Sequence, residues 1–178
     1  LKMTTRINYD HELTLLNDDI KQMGYMVESS IEQCFIAFED QDFEKAEGII
    51  RGDRTINDLE RSIEARCLSL ILRQQPVAGD LRVVSSALKV VTDLERIGDH
   101  ASDIAELILR IRGEHIYHVV RHIPGMAMAA REMVRSAIDA FISQDITAAK
   151  TIEKQDDIVD ELFTKVKNDV IDLLKQSA

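Results

Sequence analysis

Nine apolar residues in one stretch keep an unbroken four–three rhythm: Val83, Ala87, Val90, Leu94, Ile97, Ala101, Ile104, Ile108 and Ile111. That spacing puts them on one stripe of a helix about eight turns long, a coiled-coil-like seam that demands partner helices. Leu16, Ile20, Met23 and Val27 repeat the rhythm near the start. Breakers are few, with 7 glycines and 2 prolines in 178 residues. Gln74-Gln75-Pro76 is one break and Gly113 through Pro124-Gly125 another. A weaker break falls at Gln41-Asp42, where Asp42 can cap a helix beginning at Phe43. The pattern predicts five long helices, over 8–40, 43–73, 77–113, 122–143 and 146–176. Short connections between long helices make sequential neighbours antiparallel. Aromatic residues are 4% and tryptophan is absent, which argues against sheets.

The chain also repeats itself. Shifted by 103 residues, Ala37-Phe38-x-x-Gln41-Asp42 lies on Ala140-Phe141-x-x-Gln144-Asp145. The register continues without gaps, with Asp53 on Asp156, Leu59 on Leu162, Ile63 on Val166 and Leu70 on Leu173. The first two helices therefore recur as the fourth and fifth. The expected fold is all-α: two repeated antiparallel three-helix bundles side by side, the second lacking its last helix in this chain. Residues 1–115 form the first unit and 116–178 the first two helices of the second. Helices with an open apolar face call for a compensating contact.

Charge narrows the partners. With 32 acids against 22 bases the formal charge is −10, a poor match for nucleic acid. Cations or a partner's basic patch suit it better. No apolar run approaches the roughly 20 residues of a spanning helix, and no basic-then-apolar signal is read near the start. Cys34 and Cys67 make no disulfide framework and fall near apolar seams, where they read as core filling in a reducing compartment. A cytoplasmic location is the expectation.

Acidic pairs carry the chemistry. Glu95-Arg-Ile-Gly-Asp99 puts two carboxylates at i and i+4, about 5–6 Å apart at Cβ. They lie off the Leu94–Ile97 stripe, toward the bundle surface, and Asp103 extends the row. Asp53-Arg-Thr-Ile-Asn57 repeats the spacing on the second helix. If the two helices fold back around residue 75, all four residues sit at one level. Oxygen-only donors from two helices describe a site for a hard or borderline cation such as Mg²⁺, Ca²⁺, Mn²⁺ or iron. A charge row on a long helix is also commonly just a solvated face. The five histidines add no Glu-x-x-His pair or zinc spacing, and His100 reads as a surface residue. Gly98, inside the long helix, costs about 1 kcal/mol against alanine and calls for a packing reason. No nucleophile–base arrangement, phosphate-cradling glycine loop or nucleotide fingerprint occurs, so an enzyme is not expected.

At Gln75-Pro76-Val-Ala-Gly-Asp80-Leu81-Arg82 and Asp93-Leu-Glu95-Arg96-Ile97-Gly98-Asp99-His100-Ala101 the sequence resembles the PhoU family, regulators of bacterial phosphate transport and signalling. The resemblance covers nearly the whole chain and implies two similar three-helix bundles. It implies surface metal clusters held by paired acidic motifs, with iron, Mn, Mg or Zn as candidates. Carried across, the ligands are Asp53, Asn57, Glu95 and Asp99, then Asp156 and Asp160 from a second pair whose partner motif falls beyond residue 178. Asn57 departs from the acid often found there and offers only a neutral carbonyl oxygen. The resemblance further implies a cytoplasmic adaptor and negative regulator that links the phosphate ABC transporter ATPase to a sensor histidine kinase. It would act as a homodimer and touch the membrane only through those partners. The alternative is a related helical adaptor for a different transporter.

Overall fold

A computed structural model of the chain describes the backbone of residues 2–74, 76–112 and 120–176, with side chains over 8–73, 76–112 and 120–175. Gln75, Gly113 and the 115/116 boundary expected between units lie outside the described residues. The described residues form five helices: α1 Lys2–Asp40, α2 Phe43–Gln74, α3 Ala78–Arg110, α4 Ile123–Ser143 and α5 Ile146–Gln176. No strand occurs among the described residues. α1 starts six residues earlier than its apolar periodicity predicts, because no glycine or proline stops it there.

The repeat is built into the turns. Gln41 and Gln144, its partner by the 103-residue shift, both adopt left-handed backbone, at φ 55° and 56°. The following residue closes each turn. The Asp42 N–H donates to the Ala37 carbonyl at 3.0 Å, and the Asp145 N–H to the Ala140 carbonyl at 2.9 Å. Each aspartate then caps the next helix, its Oδ1 accepting from the Lys45 N–H and the Ala148 N–H respectively, both at 2.9 Å. These bonds satisfy helix-start donors that would otherwise be orphaned.

α1, α2 and α3 pack pairwise on one another. Leu16, Ile20, Met23 and Val27 are fully buried, as their rhythm predicts. On α3 the buried residues are Val84, Ala87, Val91, Leu94, Gly98, Ala101, Ala105 and Ile108. Every second position of the predicted seam holds: Ala87, Leu94, Ala101 and Ile108. The intervening positions are shifted by one residue, so Val83, Val90, Ile97 and Ile104 yield to Val84, Val91, Gly98 and Ala105. Ile104 is 49% exposed. At Gly98 and Ala105 the reason is close packing, which favours the small residue over the neighbouring isoleucine. A Cβ on Gly98 would stand 3.2 Å from Ile56 Cδ1, and this contact is the packing reason for the glycine. Cys34 and Cys67 are buried, and burial pushes their thiols up to about 12 and about 11. They are core residues, as expected.

Among the described residues the second unit docks through α1, which packs on α4, while α5 packs on α4. Val134 and Ile138 join the α1 core. Glu28, a buried carboxylate, accepts from Arg135 Nε at 2.9 Å and Nη2 at 2.6 Å across the junction. At Gly24 an added Cβ would run into Ile138 Cδ1. Gly24→Leu should therefore unseat α4 from α1, at a cost of about 1–3 kcal/mol for overpacking. Native-state hydrogen exchange checks it: amides of α4 and α5 should exchange about tenfold or more faster, with α2 and α3 unchanged. Equal loss of protection across all five helices would show that the junction is not a separate unit of stability. None of the described residues of α5 is buried; Phe163, Val170 and Leu174, on the flank equivalent to the one α2 packs on α3, are exposed.

Candidate metal centre between the second and third helices

The shift of the α3 seam toward Gly98 turns Glu95 and Asp99 with it. Successive residues are about 100° apart on a helix, so moving the buried stripe by one position brings both acids to its edge. They are half-buried against α2 instead of pointing out to the bundle surface. Asp53 and Asn57, on the facing side of α2, are half-buried too. Antiparallel pairing around residue 75 thus places all four at one level, as the arithmetic predicts. Ile56, between the two α2 residues, is the side chain lying over Gly98.

Contacts within the group are specific. Asn57 Nδ2 donates to Asp53 Oδ2 at 3.1 Å. Asp99 stands close enough to Asp53 for its charge to oppose ionisation of the Asp53 carboxyl. Burial raises the Asp53 carboxyl above its usual range, and the charges of Asp99 and Asp103 raise it further. Glu95 is raised by burial, then by Asp99 and Asp53, with Arg96 opposing. Glu60 joins the field: burial lifts it first, then the charges of Glu95 and Glu64. Sequence reasoning missed Glu60, although it stands seven positions after Asp53 and hence on the same helix face. Asp103 reaches the group only by its charge, with its side chain 75% exposed beside His100.

Two oxygens in this group, Asp53 Oδ1 and Asn57 Oδ1, are buried without a hydrogen-bond partner among the described residues. Buried acceptors of this kind are uncommon and call for a donor, water or cation. The donor set, carboxylates plus one amide oxygen, fits a hard cation in kind. Among the described residues no three His, Cys, Asp or Glu side chains converge as a ready ligand cage. The centre is an acidic cleft with orphaned oxygens, and a cation would have to draw its walls together.

Asp156 and Asp160 stand differently. Both are exposed on α5, and among the described residues no helix is brought against them as α3 is against Asp53 and Asn57. The structure thus assembles the first acidic pair and leaves the second open. His100, 71% exposed, is a surface residue as expected. Arg82 lines a groove of about 790 Å³ between α3, α4 and α5. No helix among the described residues is long and apolar enough to cross a membrane.

Comparison with known proteins completes the description. The family profile described as the PhoU domain matches residues 20–108 and 123–178. The phosphate-specific transport system accessory protein PhoU homolog of Clostridium acetobutylicum is 38% identical over 173 residues, which are 97% of this chain and 79% of that protein. The PhoU homolog of Aquifex aeolicus, with the same description, is 37% identical over 160 residues, 90% of this chain and 72% of its own. The crystal structure of the phosphate transport system regulatory protein PhoU from Streptococcus pneumoniae aligns with a TM-score of 0.87 at 28% identity, covering 94% of this chain and 79% of that chain.

Proposed function

The chain belongs to the PhoU family, and on that premise we propose that it is an accessory regulator of phosphate-specific transport in the cytoplasm. The observation that carries this is the extent of the match: both repeat units are included, over 97% of the chain, in a relative named for that transport system. In this reading the protein represses phosphate-starvation genes when phosphate is plentiful. It does so as a homodimeric adaptor between the transporter ATPase and a sensor histidine kinase. An acidic surface of long helices suits an adaptor.

The metal belongs to the same proposal. Asp53, Glu95 and Asp99 would hold a divalent or iron cation with the Asn57 amide oxygen, and Asp156 and Asp160 would offer half of a second site. Fe, Mn, Mg and Zn are the candidates. A bound cation supplies the positive charge that this cleft lacks. The residues themselves set its place, because their half-buried position limits competition from water.

Complementation tests the function. In a host lacking its own PhoU, the chain should restore repression of a phosphate-starvation reporter at high phosphate and release it at low phosphate. A reporter that stays fully induced at high phosphate, with the chain expressed and helical, would overturn the regulatory reading.

A further inference from the structure

The donor set of the α2–α3 centre is one charge short on α2. Asp53 faces Asp99, whereas Asn57, at the level of Glu95, brings only a neutral amide. The next residue on that face of α2 is Glu60. Asp53, Asn57, Glu60 and Glu64 follow a four–three–four spacing, so they stand on one stripe beside the buried Ile56, Ile63 and Cys67. Glu60 is half-buried and lies three residues beyond Asn57, about 4.5 Å along the helix axis. The antiparallel register that puts Asp53 opposite Asp99 puts Glu60 opposite Thr92, with Glu95 one turn away. A glutamate is one methylene longer than an aspartate and can lean across that turn. The charge of Glu95 reaches the Glu60 carboxyl more strongly than that of Glu64 on its own helix.

Two arginines have charges that reach these acids, Arg61 and Arg96, but both are turned outward. Arg61 pairs with Asp58 at 3.8 Å and Arg96 with Asp93 at 3.5 Å, their side chains 76% and 67% exposed. Thr92 donates its hydroxyl to the Leu88 carbonyl at 3.1 Å and brings no charge. On the inner side, Asp53 Oδ1 and Asn57 Oδ1 are buried without a hydrogen-bond partner among the described residues. The bond from Asn57 Nδ2 to Asp53 Oδ2, at 3.1 Å, holds both groups in that orientation. Orphaned oxygens held in place, with a half-buried carboxylate one turn away, are what a hard cation can bridge. We propose that Glu60 is a ligand of this centre and supplies, from one turn along α2, the charge that Asn57 lacks. The cation then meets four carboxylates, Asp53, Glu60, Glu95 and Asp99, and one amide oxygen, a donor set for a hard cation such as Mn²⁺. The inference rests on the metal reading above and adds a residue to it.

The experiment titrates Mn²⁺ into the purified, chelator-stripped chain and follows free Mn²⁺ by electron paramagnetic resonance. Four forms are compared: unaltered, Glu60→Gln, Glu64→Gln and Asn57→Asp/Glu60→Gln. Far-UV circular dichroism verifies that each keeps its helix. Glu60→Gln should weaken Mn²⁺ binding about tenfold or more, since affinity follows the charge of the ligands. Glu64→Gln, one turn farther along α2, should weaken it less than about threefold, because that charge acts only through space. Asn57→Asp in the Glu60→Gln background should recover most of the lost affinity, which a purely structural role for Glu60 would not allow. Unchanged binding by Glu60→Gln would overturn Glu60 as a ligand and leave the metal centre standing. An equal loss in Glu64→Gln would reduce the effect to the field of the helix face and overturn it as well. So would a loss that Asn57→Asp does not recover. No Mn²⁺ bound by the unaltered chain would overturn the metal reading itself, and this ligand with it.

Discussion

Leu94→Asp should leave the first three helices unfolded at neutral pH, whereas Ile104→Asp should leave them folded. Leu94 is 5% exposed and sits in the main core cluster with Ile56, Ile63, Val84 and Val91. Losing a buried leucine costs about 2–5 kcal/mol. A carboxylate left there without a partner adds several more, about what is needed to exhaust a domain stability of roughly 5–15 kcal/mol. Ile104 belongs to the same four–three pattern in the sequence but is 49% exposed. An acid there should change stability by no more than about 0.5 kcal/mol. Far-UV circular dichroism and a urea titration on both variants decide the matter. A cooperative, native-like transition for Leu94→Asp would mean that the inward face of α3 is wrong. Unfolding by Ile104→Asp would mean that the sequence stripe is the true contact line.

That pair of variants marks where the sequence was legible and where it was not. Helix limits at Gln41-Asp42 and Gln144-Asp145 could be read because local chemistry dictates them: an aspartate cap after a turn needs no distant partner. The repeat was legible for the same reason, since it preserves turn residues as well as apolar positions. Ala87, Leu94, Ala101 and Ile108 were found because they lie inward under either phase of the stripe. The choice between Ile97 and Gly98, or Ile104 and Ala105, was not legible. A pattern of apolar residues favours the larger side chain, while close approach of α3 to α1 and α2 favours the smaller. The same ambiguity hid the half-burial of Glu95 and Asp99 and the arrival of Glu60. Contacts between the units, Gly24 with Ile138 and Glu28 with Arg135, join positions more than a hundred residues apart and follow no period at all.

Glu95→Gln/Asp99→Asn should stabilise the metal-free protein at neutral pH and abolish its uptake of cations. Asp53, Glu95 and Glu60 are all raised in the folded protein, by burial first and then by neighbouring acids: Asp99 for Asp53 and Glu95, and Glu95 for Glu60. Groups raised in this way favour folding while protonated. Their contribution is complete below the ordinary carboxylate range and is lost as pH rises through their raised values. In chelator the unaltered chain should therefore lose stability from mildly acid toward neutral pH, and the double variant should lose less. Solvent screens these half-exposed acids, so the gain at pH 7 should be only about 0.5–1 kcal/mol. The cation response is the larger effect. Added Mn²⁺ or iron should raise the melting temperature of the unaltered chain, more at pH 8 than at pH 5, because protons and metal compete for the same oxygens. The double variant should show no such rise, and elemental analysis should find its bound metal lost. Asp156→Asn/Asp160→Asn should retain metal, since both are exposed and among the described residues no second acidic pair stands opposite them. A double variant that is less stable in chelator would mean that these carboxylates serve the bundle by contacts of their own. Undiminished metal in the double variant would assign the cation to other residues.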